Sequence, residues 1–204
     1  YKITTLATIG FNSRVKFESV YREGISKIRK EDMQQANEIG YKIKLIASAS
    51  IDENNNADVR VHPMLVPKTK MLANIHYVTN AVEIKGSPIG DIVLSGAGAG
   101  EFPTASSVVG DILAIAKEWG TTNYLLPMMR CHHHKTANPV KIEDTYNKYY
   151  ISITAPHAIG VIAKIGTICA NKNVSLSSIL QKGVSTTDSI AEITVITEKC
   201  FEKS

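Results

Sequence analysis

Apolar positions along this chain switch repeatedly between helical and strand periods. Ile3, Leu6 and Ala7 recur at helical spacing, with Gly10 and Asn12 as a stop, so the first element is a helix. No capping residue precedes that run, which predicts that the helix starts upstream and that the chain is cut there. Val15, Phe17 and Val20 predict an extended segment between residues 11 and 21. Met33, Ala36 and Ile39, closed by Gly40, predict a short surface helix. Residues 41–51 alternate strictly, with Ile43, Leu45, Ala47 and Ala49 on one face. A polar turn at 52–56 and the return of Val59 and Val61 make this a hairpin. Pro63 and Pro67 then predict that residues 65–72 are irregular or an edge. Two more strands fit residues 78–85 and 90–95, on either side of Gly86-Ser87-Pro88. After Gly96, Gly98 and Gly100, Pro103 can open a helix whose apolar stripe is Val108, Ile112, Ile115, Ala116 and Trp119.

Residues 120–147 lack sustained periodicity and read as a linker. Beyond them the order is compact: a strand at 148–154, a helix at 158–171, and strands at 174–182 and 189–197. In that helix Ile159, Ile162, Ala163, Gly166 and Cys169 are expected to face inward. This is a β-α-β-β order that stops where another helix and strand would complete a six-element unit, so the chain is expected to be cut at this end also. The expected fold class is therefore α+β. A mainly antiparallel or mixed sheet with packed helices occupies residues 1–118, a linker 119–146, and a ferredoxin-like βαββ unit 147–204.

Composition narrows the function classes. The 23 basic and 19 acidic residues give a net charge of +4 and are scattered singly, which argues against nucleic acid. The odd count of three cysteines (Cys131, Cys169, Cys200), with no close pair, points to a reducing compartment and hence the cytoplasm. No run approaches the roughly 20 apolar residues of a membrane span, and no charged-then-apolar leader follows Tyr1. His132, His133 and His134 are consecutive and lack an accompanying Cys-x-x-Cys, so they read as a polar patch and no metal site is expected.

The last unit carries a resemblance. Tyr150-Ile151-Ser152-Ile153-Thr154, Ile159 to Ile165, and Asn173 to Gly183 are similar to an ACT domain, the regulatory module of amino-acid metabolism. That family's turn is typically acidic-x-Pro-Gly-Val. Here it is His157-Ala158-Ile159-Gly160-Val161, which keeps the glycine that lets backbone amides approach a small ligand. The resemblance implies effector contacts at Gly160, Asn173 and Gln181, with threonine as the effector. A unit that serves only to pair subunits is equally compatible with the residues.

The first unit has a second resemblance. Val20-Tyr21-Arg22-Glu23-Gly24-Ile25, then Gly40-Tyr41 with Ile43-Lys44-Leu45-Ile46-Ala47, then Arg60-Val61-His62-Pro63, then the 96–111 glycine-rich segment through Asp111, occur in an order that resembles homoserine dehydrogenase. The resemblance spans nearly all of residues 1–118. It implies reversible hydride transfer between NAD(P)H and L-aspartate 4-semialdehyde, giving L-homoserine, in threonine, methionine and isoleucine biosynthesis. It also implies a homodimer or larger homo-oligomer. The forming alkoxide needs a proton donor and a nearby cation, and a lysine can serve as both. By resemblance to the family's acidic-x-x-x-Lys helix, Lys2 is that lysine, although residues alone read it as a solvated lysine. Gly96, Gly98 and Gly100 are implied to approach the coenzyme; the alternative is a tight strand-to-helix turn. Their spacing is not the dinucleotide fingerprint, so the main coenzyme domain is expected outside this chain, which alone should be inactive. Lys44 reads as a solvated or ion-paired strand lysine. A non-catalytic dimerisation and amino-acid-sensing module is the alternative reading of the whole.

Overall fold

A computed structural model describes residues 1–119, 135–182 and 190–204. His132 to His134, Cys131 and Gly183 lie outside the described residues. The first helix, α1 (Lys2–Phe11), ends where Asn12 turns left-handed at φ 48°. There the chain reverses: Val15 N–H donates to Thr8 Oγ1 at 3.2 Å, folding Val15 back under α1. The extended segment expected over 11–21 is therefore corrected to a reversal, a 3-10 turn at Phe17–Ser19 and a short strand, β1 (Tyr21–Arg22). Val15 and Val20 are both buried in one cluster with Ala7, Ala57, Val59 and Ala137. Small side chains at those positions let α1 sit close to the sheet beneath it.

That sheet is the hairpin of β2 (Tyr41–Ile51) and β3 (Asn56–Pro67), with β1 parallel to β3 on its other edge. β3 runs through Pro63, which pairs with Leu45, and ends at Pro67, opposite Tyr41. The expected interruption does not occur at Pro63. β1 pairs with β3 only at Arg60 and Val61, so beyond Val61 that edge is free to accommodate a residue without an N–H. A 3-10 turn at Met71–Asn74 then buries Ala73. α2 (Lys30–Glu38) packs on β2 and is not a simple surface helix, because Asp32, Gln35 and Ala36 are all buried.

β4 (Thr79–Gly86) and β5 (Gly90–Ala97) form a separate antiparallel pair around a cis Ser87–Pro88 bond. α3 (Glu101–Glu118) follows. Its stripe was expected to pack on the first unit, yet Val108, Ile112 and Ile115 are each more than half exposed. Among the described residues nothing covers that face, so the amphipathic pattern of α3 has no partner among them.

Part of the segment read as linker belongs to the first unit. Arg14 N–H donates to Lys135 O at 2.8 Å, and Ala137 N–H to Arg14 O at 2.9 Å. β6 (Asn138–Pro139) lies parallel to β3, and Ala137 is in the core.

The remaining chain gives β7 (Tyr146–Asn147), β8 (Tyr150–Pro156), α4 (Val161–Asn171), β9 (Leu176–Lys182), β10 (Ile190–Thr197) and β11 (Cys200–Phe201). β10 lies between β8 and β9 and is antiparallel to both, which is the split βαβ arrangement of a ferredoxin-like unit. β11 closes on β7. In α4 the phase differs from the expected one. The helix begins after Gly160, leaving Ile159 fully exposed and Ile162 on the outer side, while Val161, Ile165 and Cys169 are partly covered. The fold class is α+β, as the pattern predicts.

Candidate functional site

The α1 helix presents Lys2 in its first turn, exposed, while Ala7 one and a half turns later is buried against the sheet. The buried side of α1 fixes the helix and leaves Lys2 facing outward.

The glycine-rich segment leads from β5 into α3. Gly96 pairs with Asn80, and Gly98 N–H donates to Val78 O at 3.1 Å. A methyl group on Gly98 would overlap the Asn80 side chain, so glycine here answers an internal close approach. Gly100 is different. At φ 119°, ψ 157° it occupies a region open essentially to glycine alone, and it directly precedes the free amides of the first turn of α3. Glu101 stands in that same first turn, where its charge suits the helix end but opposes a phosphate. Gly98→Ala would push the exposed Asn80 amide off its bond to Val78 O and is expected to destabilise the β4–β5 pair by about 0.5–1.5 kcal/mol, seen as faster amide exchange in both strands. Gly96→Ala, with nothing within 4 Å of the added carbon, should change exchange far less. Equal behaviour of the two variants would contradict the steric assignment.

The residues assigned to effector binding do not converge within one chain. Gly160, at φ 90°, caps the start of α4, and Asn173, at φ 54°, follows its end. An 11-residue helix separates them by about 16 Å. Gln181 pairs with Ile193, which pairs with Ile153, and so lies toward the end of the sheet from which β8 leads to Gly160. Gly160 and Gln181 thus share one end of the unit and Asn173 occupies the other. Lys44 donates to Ile75 O at 2.7 Å, a structural tie that fits its strand-lysine reading. Among the described residues no group of three or more His, Cys, Asp or Glu side chains could hold a metal.

Residue patterns did not point to the polar contact between the two units. The Asp32 carboxylate accepts from Arg29 N–H at 3.0 Å and pairs with the Arg29 guanidinium at 3.2 Å. Arg29 also reaches Glu192 at 3.0 Å and the Ser152 hydroxyl at 2.9 Å on the β8–β10 sheet. Gln35 Nε2 donates to Glu192 at 3.3 Å, and its carbonyl oxygen accepts from Tyr150 at 3.2 Å and from Thr194. Burial works to raise the Asp32 carboxyl, but the Arg29 side chain and backbone outweigh it and hold it below the usual value. Burial pushes the Tyr150 phenol up. The one sequence signal was negative: Asp32 and Gln35 interrupt nothing on a helix read as solvated, and their partners on the second unit lie 115 to 159 positions away.

Comparison with known proteins follows this geometry. The family model described as homoserine dehydrogenase matches residues 1–113, which include Lys2 and the glycine-rich segment. A homoserine dehydrogenase of Synechocystis is 37% identical over 98% of this chain, which covers 47% of that protein. One of Neisseria gonorrhoeae is 34% identical over all of this chain, again covering 47% of the relative. The chain therefore spans about half the length of the curated relatives it matches. A crystal structure of a homoserine dehydrogenase from Thiobacillus denitrificans superposes with a TM-score of 0.87 at 33% identity, over 99% of this chain and 46% of that one. A second, from S. aureus, shares the fold with a TM-score of 0.64 at 24% identity.

Proposed function

This chain belongs to the homoserine dehydrogenase family, and from that membership we propose that it is the substrate-binding, dimerisation and regulatory portion of an enzyme interconverting L-aspartate 4-semialdehyde and L-homoserine. Residues 1–118 form the catalytic and pairing unit in this reading, and 147–204 the ACT-type unit. The match over residues 1–113, with Lys2 exposed on a helix anchored by its other face, carries the proposal. Lys2 Nζ would protonate the aldehyde oxygen as it becomes an alkoxide, and would take the same proton from the homoserine hydroxyl in the reverse direction.

The reduced form of NAD or NADP would supply the hydride to the aldehyde carbon, and the oxidised form would take it back from homoserine in the reverse direction. Gly100 and the adjoining backbone fit an uncharged part of such a coenzyme, because the conformation is open and glycine-specific. Glu101 makes the same helix end a poor seat for its phosphates. The principal coenzyme surface is accordingly assigned to residues beyond this chain, with a cytoplasmic setting for the whole.

The exposed stripe of α3 and the outward apolar residues of β4 and β5 support pairing with another domain or subunit in a homo-oligomer. Threonine is the proposed effector, at the end of the βαββ unit marked by Gly160 and Gln181.

Two assays test this reading. The chain alone, given homoserine with either NAD or NADP, should form no reduced coenzyme; turnover would place the coenzyme surface within it. A longer protein that joins this chain to a nucleotide-binding domain should form reduced coenzyme in a homoserine-dependent way. Failure of that protein, folded and pure, would remove the enzymatic proposal.

A further inference from the structure

A cavity of about 500 Å³ opens between the two units, and neither Lys2 nor Gly160 lines it. Tyr21, Arg60 and His62 line it from the first unit, and Asn147, Tyr149 and Glu202 from the second. Polar atoms around it lack partners. His62 Nε2, Asn147 Nδ2 and the Tyr149 hydroxyl are each shielded and make no hydrogen bond of normal geometry. Buried polar atoms are almost always paired in folded proteins, so several unpaired ones around one hollow mark a place that something else completes.

The unpaired atoms fall into two chemical groups. Asn147 Nδ2 is a donor, and Arg60 joins it, with one guanidinium nitrogen 3.5 Å from Asn147 Oδ1. Arg60 Nε also lies 2.8 Å from Asp58 Oδ1, a charge contact without hydrogen-bond alignment. Tyr149 has Thr145, Glu202 and Asn147 as polar neighbours. Beside these donors are acceptors. His62 Nδ1 lies 2.9 Å from Pro63 O, and since a carbonyl can only accept, Nδ1 carries a proton there and Nε2 is the ring nitrogen left for a ligand. Glu23 accepts from the Tyr21 hydroxyl at 3.3 Å, and Glu202 faces the same phenol. Among the described residues neither Glu23 nor Glu202 forms an ion pair, although Lys148, itself paired with Glu198, stands at the same opening. Between donors and acceptors the floor is apolar, with Ile43, Leu65 and Ile196.

We propose that this cavity binds a free α-amino acid with an apolar side chain. Its carboxylate would lie on the Arg60, Asn147 and Tyr149 donors, its ammonium toward Glu23 and Glu202, and its side chain on the aliphatic floor. An inorganic phosphate would face two carboxylates, and no metal-binding cluster exists among the described residues. A bound amino acid would touch both units at once and favour the conformations in which they are apposed.

Calorimetry on the chain tests this with three probes of one shape: L-leucine, 4-methylpentanoate, which lacks the ammonium, and 3-methylbutylamine, which lacks the carboxylate. Leucine should bind, with each analogue at least about tenfold weaker. Tyr149→Phe and Asn147→Ala should each weaken leucine about tenfold without shifting the melting temperature. Glu202→Gln, at an exposed position that folding does not depend on, should weaken it severalfold. Absence of leucine binding at millimolar concentration would overturn the proposal. So would equal affinity for all three probes, which describes an apolar hole, or leucine binding that Glu202→Gln leaves unchanged. Loss of leucine binding with a retained threonine response would separate this site from the effector end of α4.

Discussion

Lys2→Met in the longer enzyme is expected to lower kcat for homoserine oxidation by about 10²- to 10⁴-fold, the usual worth of a positioned proton-transfer group. The substitution should leave folding intact. Lys2 is exposed in the first turn of α1, and the residues that hold that helix, Ala7 and the partly buried Ile3 and Phe11, are on its other side. Steady-state kinetics in both directions would show the loss chiefly in kcat. Lys2→Arg separates two roles. Arginine keeps the positive charge beside the alkoxide but cannot give up its proton, so a purely electrostatic lysine would be largely replaced and a proton-transferring one would not. The assignment predicts that Lys2→Arg remains close to Lys2→Met in homoserine oxidation. A kcat within tenfold of the parent for Lys2→Met would remove Lys2 from the chemistry.

The second large effect is on stability. Asp32→Ala should lower the unfolding free energy by about 2–3 kcal/mol at neutral pH, measured by urea denaturation. The Asp32 side chain is only 8% exposed and is held by the Arg29 backbone and guanidinium, and it accepts from the Tyr150 hydroxyl at 3.3 Å. Removing it leaves those donors unmet and also removes an acidic group from the start of α2. Larger values apply to fully buried pairs. Arg29 is 41% exposed, so water and ions replace part of what it loses. The pH dependence has a definite sign. The folded-state carboxyl titrates below its unfolded value of about 3.9. Its contribution is therefore complete above that value and disappears as pH falls through the lower, folded-state pKa. The difference between the parent and Asp32→Asn should shrink over that acidic window and stay constant above it. A difference that grows on acidification would contradict the pairing.

What could be read from the sequence follows the range of the interactions involved. The alternation over 41–51 and 57–61 specified the β2–β3 hairpin because it is local, and the turn at 52–56 sets its register. The β-α-β-β order of the last unit was equally legible. Lys2 and the glycine-rich segment stood out only through resemblance, since an exposed lysine and a glycine turn have many uses. Long-range pairing escaped. Pro63 looked like a break because its neighbour on β3 could not be known to stop at Val61. Ala137 looked like linker because the strand it accompanies lies some 80 positions earlier in the chain, as with the Asn55 side chain that holds Thr136 O. The stripe of α3 was a correct amphipathic pattern that nothing among the described residues covers. Asp32 and Gln35 lay on a helix with a polar face, and polar faces usually meet water. Here that face meets Glu192, Ser152 and Thr194 on another sheet.

The stretch from Lys135 to Pro139 has a bearing on how the two halves are held together. Arg14 brackets it with two backbone bonds, β6 lies on β3, and Ala137 is sealed in the core with Ala7 and Val59. The connection between the halves is thus welded to the first half at its far end. The stretch that leads into the βαββ unit is thus itself part of the first half's core, and it adds to the contacts that Arg29, Gln35 and Tyr150 make between the two halves.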